Sequence, residues 1–133
     1  MGALGRILAP LIGRAVPLPA PLVERFPELA IVRLRRGGLP PRLGGWALGC
    51  RSVAAITLGR RVFIAPGVPL DPELLLHELR HVHQFQASAA FPIRYLWESL
   101  RRGYQANCFE ADARAYVASR LHAGSTDLGR GDA

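Results

Sequence analysis

The sequence predicts an α+β fold dominated by helices, with one small antiparallel sheet. Three observations carry that expectation. Residues 53–58 and 61–65 are two short apolar runs around Gly59-Arg60, the pattern of two strands joined by a tight turn. Helix-start and helix-stop residues then recur between Asp71 and Gly124, marking three helices in succession. The length of 133 residues suits one domain with a modest core.

Residues 1–23 are apolar but interrupted by Arg6, Pro10, Arg14, Pro17, Pro19 and Pro21. They fall short of the roughly 20 continuous apolar residues of a membrane span. They also make a poor secretory signal, because the short run from Ile7 carries Arg14 inside it; the cytoplasm is the expected location. Leu4, Ile7, Leu8, Leu11 and Ile12 form one helical stripe. A short helix packed on the domain explains it; contact of residues 1–16 with a membrane surface is the competing explanation. Pro10 removes a backbone donor and weakens both. A second helix is expected over residues 21–36, with Leu22, Phe26, Leu29 and Val32 on one side. Gly37-Gly38-Leu39-Pro40-Pro41 and Gly44-Gly45 then read as a loop. The chain thus divides into an N-terminal helix-and-loop segment (1–43), packed on or flanking a main domain (44–123), and a tail (124–133).

In the main domain, Ile56 and Leu58, then Val62 and Ile64, supply the apolar positions of the two strands. Asp71 is a good N-cap, Pro72 a good first helical residue, and Glu73 suits the positive helix end. This helix should end between residues 87 and 90. A second should run from Pro92 to Arg102, with Ile93, Leu96, Trp97 and Leu100 as its apolar face and Gly103 as its stop. Asn107 can cap a third over residues 108–122, stopped by Gly124. The polar, Gly-rich residues beyond it are expected to be disordered.

All 17 basic residues are Arg and the net charge is +7, which favours polyanions or anionic lipid. Only Arg33, Arg35 and Arg36, and the pair Arg60-Arg61, lie close together. No Arg cluster interleaved with aromatics is present, so nucleic-acid binding is not expected. Cys50 and Cys108 make no disulfide framework and read as buried thiols.

One motif carries chemistry. His77-Glu78-Leu79-Arg80-His81 places two histidines four apart in the first of the three helices, about 40° from each other on one face. Both imidazoles can therefore reach one metal ion, and Glu78 can reach a water activated there. This is the H-E-x-x-H pattern of zinc hydrolases; two ordinary histidines on a buried face are the bland alternative. A catalytic zinc needs a third protein ligand. Glu110, Asp112 and His122 are the candidates, and Glu110 is preferred for its place one turn into the last helix. A competing role for Glu110 is the capping box, reaching back to the backbone N–H of Asn107. His83 lies about 200° from His81 and cannot share the metal face. Gln84 and Arg80 fall near that face; Asp112 could orient an imidazole.

The residues from Ala55 to Ile64, followed by Leu74-Leu75-Leu76-His77-Glu78-Leu79-Arg80-His81-Val82-His83-Gln84, resemble small bacterial zincin-like metallopeptidases with an H-E-x-x-H-x-x-Q motif. Related gluzincin-type chains continue with N-P-[FY]-E-x-E-A, to which Asn107-Cys108-Phe109-Glu110-Ala111-Asp112-Ala113 is similar. Cys108 replaces the proline and Asp112 the second glutamate. The resemblance covers about residues 44–118. It implies a minimal zincin-like fold, a zinc ion (Zn2+) held by His77, His81 and Glu110, and a peptide or protein substrate. Glu78 would be the general base of peptide-bond hydrolysis, and Tyr104, Arg114 and Tyr116 are candidates to stabilise the oxyanion. A non-catalytic binding or scaffold domain with a structural or vestigial metal is the alternative.

Overall fold

The computed structural model describes residues 2–41 and 54–128, and of residues 5, 7–10 and 124–128 the backbone alone. The expected loop at Gly44-Gly45, Val53 at the start of the first strand, Cys50, and residues 129–133 lie outside the described residues. The protein is α+β, with a four-stranded sheet and predominant helix. It divides into two compact units, Met1–Leu70 and Asp71–Ala133.

The first unit holds helix α1 (Ala3–Ile12), strand β1 (Arg14–Ala15), helix α2 (Ala20–Arg25), a 3-10 helix (Pro27–Ile31), and strands β2 (Arg33–Arg36), β3 (Ala55–Leu58) and β4 (Arg61–Ile64). The expected β3–β4 hairpin is present and antiparallel, pairing Leu58 with Arg61 across the two-residue turn. Gly59 takes φ +66° there, a left-handed conformation that glycine adopts without steric cost.

The sheet is wider than expected. Its order is β1-β2-β4-β3, with β2 parallel to β4 and antiparallel to β1. The single helix expected over residues 21–36 is corrected to three elements. Pro27 lacks an N–H and clashes with the carbonyl four residues back. The preceding Phe26 is pushed to φ −129°, ψ 78°, outside the helical region. Beyond the 3-10 helix the chain alternates instead of spiralling: Val32 and Leu34 are buried while Arg33 is exposed. Residues 1–43 therefore supply two of the four strands, β1 and β2.

Two arginines of the basic run serve the backbone. Arg35 donates from Nε to Ile12 O (2.6 Å) and from Nη2 to Gly13 O (2.9 Å), satisfying carbonyls at the end of α1. Arg36 Nη1 donates to Val68 O (2.8 Å) and Ala65 O (3.2 Å), fastening the loop after β4. Phe26, Leu29, Val32, Leu34, Val62, Phe63 and Ile64 form the buried apolar set. On β3 the buried residue is Thr57, whereas Leu58 is largely exposed, so the expected inward place of Leu58 is not found. Leu4, Leu11 and Ile12 of the α1 stripe are exposed as well.

The second unit is three helices: α3 (Pro72–Ala87), α4 (Phe91–Arg102) and α5 (Cys108–Leu128). Asp71 caps α3 by accepting from Leu74 N–H at 2.8 Å. Leu75, Leu76, Leu79 and Val82 of α3 are buried, as are Phe91 and, on α5, Ala113 and Val117. The helix α5 does not stop at Gly124 but continues to Leu128, which corrects the expected disordered tail over its first residues. A glycine inside a helix costs only about 1 kcal/mol and need not end one. Cys108, expected to be buried, is exposed.

On α4 the expected apolar face is not a core face. Ile93, Leu96, Trp97 and Leu100 are exposed, and the inward side carries Phe91, Tyr95 and Ser99. Asn107, fully buried, joins α4 to α5. Its Nδ2 donates to Tyr95 O (3.1 Å) and Ser99 Oγ (2.8 Å), and its Oδ1 accepts from Phe109 N–H (2.8 Å). Asn107→Ala should therefore lose a helix cap and two tertiary bonds at once. A destabilisation of about 2–4 kcal/mol is expected in urea unfolding, against about 0.5 kcal/mol or less for the exposed neighbour Ala106→Ser.

Candidate metal centre

Asp71 fixes where α3 begins and so fixes which side of it faces inward. His77 and His81 then lie one turn apart, ring centroids 4.9 Å from each other and nearly perpendicular. Asn107 does the same for α5, placing Glu110 on its first turn. His77 Nε2 lies 2.9 Å from Glu110 Oε2, and His81 Nε2 lies 3.2 Å from Glu110 Oε1. These three residues each offer one ligand atom within 4.8 Å of the others.

The capping-box alternative for Glu110 is not what the geometry holds. The Asn107 N–H donates to Tyr104 O at 3.3 Å, while both Glu110 carboxylate oxygens face the histidines. Tyr95 adds a third partner, its hydroxyl donating to Glu110 Oε1 at 2.6 Å. Burial opposes ionisation of Glu110. The hydrogen bonds from His77 and His81 outweigh it and hold the carboxyl far below its usual range. Burial likewise disfavours a charged His81, but its bond to Glu110 and the charge of Glu78 raise its proton affinity overall.

Gln84 decides which nitrogen of His81 faces Glu110. Its Nε2 donates to Phe109 O (3.0 Å) and Asp112 Oδ2 (2.9 Å). Its Oε1 therefore faces His81 Nδ1 at 2.7 Å, and Nδ1 must be the donor. Nε2 is then the nitrogen on the Glu110 side, donating to the carboxylate when it carries a proton and offering its lone pair to a cation when it does not. Arg80 anchors the outer end of this chain, donating to both oxygens of Asp112 at 2.7 and 3.2 Å. Asp112 thus acts on His81 through Gln84, and the Arg80 hydrogen bond holds its carboxyl below the usual range.

Glu78 is buried and near enough for its charge to raise the pKa of His81, Tyr95 and Tyr104. Of the three oxyanion candidates, Tyr104 feels both Glu110 and Glu78; partial desolvation and these charges push its hydroxyl up to about 12. Arg114 donates to Gln105 O at 2.9 Å instead. Tyr116 lies under the Arg80 guanidinium and edge-on to His83, which puts His83 outside the ligand group. His122 is exposed and not part of it.

Tyr95 was not legible as a site residue from the sequence. The available signal was its place on α4, opposite the apolar stripe. With Phe91 it packs against His81, the His81 and Tyr95 rings meeting edge-on at 5.9 Å, and Phe109 backs both Phe91 and Tyr95.

The donor set fits a divalent cation. A carboxylate with 3% side-chain exposure faces two imidazole nitrogens, so a proton or a metal ion must neutralise it. Two imidazoles and a carboxylate are a three-ligand zinc set with bonds of about 2.0–2.2 Å. No family model, curated protein or solved structure matches the chain. Replacing Gln84 by Leu removes the acceptor for His81 Nδ1 and frees the ring to turn. Zinc affinity, measured by competition with a chromophoric chelator, is expected to fall about 10- to 100-fold; Gln84→Glu, which keeps an acceptor oxygen, should lose less.

Proposed function

We propose that the protein is a zinc-dependent hydrolase of peptide bonds with a zincin-like site. The observation that supports this most is the approach of His77, His81 and Glu110 within 4.8 Å, beside a buried Glu78 one residue after the first histidine. A zinc ion bound there supplies an electrophile that polarises a carbonyl and makes nearby water more acidic.

The chain's own residues supply the rest. Glu78 accepts the proton of the attacking water and delivers it to the leaving amine. The Tyr104 hydroxyl, kept protonated by partial desolvation and the nearby negative charge, donates to the carbonyl oxygen as charge develops on it. Tyr95 and Gln84 do not touch the substrate. They hold Glu110 and His81 in position so that the site needs no rearrangement when substrate arrives.

Metal analysis of protein purified without chelator should give one zinc per chain, with His77→Ala and Glu110→Ala losing it. Cleavage of a pool of internally quenched peptides should then fall by about 100-fold or more in Glu78→Gln, with zinc retained. Tyr104→Phe should lower kcat by about 100-fold with little change in KM. Absence of zinc from the wild type would overturn the reading. Zinc without peptide hydrolysis under any condition would favour a structural metal in a binding domain.

A further inference from the structure

The helix α4 has two apolar sides, and only one is used. Phe91, Tyr95 and Ser99 point to α5 and the metal centre. On the opposite side Ile93, Leu96, Trp97 and Leu100 are 75%, 59%, 59% and 74% exposed. At about 100° per residue these four occupy an arc roughly 100° wide along about two turns. Soluble proteins rarely leave such a stripe uncovered, and one rimmed by polar groups marks an interaction surface.

The charges beside the stripe are of one sign. Arg94 and Arg101 follow Trp97 around the helix on its flank, both exposed, and the Arg101 guanidinium lies 5.9 Å from the Trp97 ring centre. The one acid of the helix, Glu98, is turned away, its side chain 16% exposed and 3.6 Å from Arg102. The net charge of the whole chain, +7, favours anionic surfaces in general.

We propose that α4 lies on an anionic lipid surface. Leu96, Leu100, Ile93 and Trp97 enter the boundary between headgroups and acyl chains, and Arg94 and Arg101 meet lipid phosphates. Arginine at the rim of an apolar face with Trp on it is the composition of interfacial helices. At 12 residues, about 18 Å long, α4 lies flat rather than spanning. None of the described helices is long and apolar enough to cross a membrane. Because Tyr95 binds Glu110 from the buried side of the same helix, the surface would hold the metal centre close to the bilayer.

The experiment is flotation of the full chain with vesicles of phosphatidylcholine alone or mixed with phosphatidylglycerol. Binding is expected to the mixed vesicles only and to weaken at high salt. Leu96→Ser/Leu100→Ser and, separately, Arg94→Gln/Arg101→Gln should each weaken it about tenfold or more, with far-UV circular dichroism unchanged. In a Trp46→Phe background, Trp97 emission should shift to the blue on adding the anionic vesicles. Equal binding to both vesicle types, no shift of Trp97, or binding abolished by Leu4→Ser/Leu11→Ser but not by the α4 changes would each overturn the proposal. So would a dimer that the α4 changes disperse in the absence of vesicle binding.

Discussion

A carboxylate removed from water has to be met by hydrogen bonds or by positive charge, because leaving it bare costs several kcal/mol. Glu110 is met by both kinds of partner at once: His77, His81 and the Tyr95 hydroxyl. Those three groups come from two different helices, so α3, α4 and α5 cannot be displaced from one another without stripping it. Metal binding and the packing of the second unit are in this sense one constraint. A divalent ion bound as proposed would neutralise Glu110 in turn, and the helices already hold the three donor residues within 4.8 Å of one another.

Around that carboxylate the polar groups form a directed chain. Arg80 fixes Asp112, Asp112 and Phe109 O fix the Gln84 amide, and Gln84 fixes the tautomer of His81. The two acceptors of the Gln84 amide nitrogen leave its oxygen to face His81 Nδ1, so the chain runs in one direction. The apolar side of the site is as specific. Phe91 and Tyr95 pack against the His81 ring, and Phe109 packs against both of them in turn.

Local chemistry made much of this readable from the sequence. The histidine spacing, the Asp71 cap with Pro72, and the Gly59 turn each depend on residues within four positions of one another, and the helix and hairpin they mark are where the sequence places them. Glu110 was readable only as one candidate among several, since whether it caps or faces the histidines depends on where Tyr104 O lies relative to Asn107 N–H. Strand β2 was hidden for a related reason. Residues 21–36 have helix-compatible apolar spacing, and only Pro27, together with pairing to a strand 25 or more residues away, turns Arg33–Arg36 into sheet. Tyr95 was hidden because hydropathy assigns a helix one apolar face, and α4 has two.

Which face of α4 turns inward follows from polar groups rather than from hydrophobicity. By apolar area alone, Ile93, Leu96, Trp97 and Leu100 are the better core side. Burying them would turn Tyr95 and Ser99 to solvent, leaving Asn107 without Ser99 Oγ and Glu110 without the Tyr95 hydroxyl. Each loss of a partner for a buried polar group costs about 1–3 kcal/mol, and Glu110 is charged. The same side chains that hold Glu110 and Asn107 therefore set the direction of the exposed stripe. A sequence selected for the site alone would have no reason to keep four large apolar residues on the outside, where Gln, Glu or Arg would serve helix formation as well. Their presence beside two arginines, with the one glutamate turned inward, is accounted for by a second surface function on the helix that also carries Tyr95.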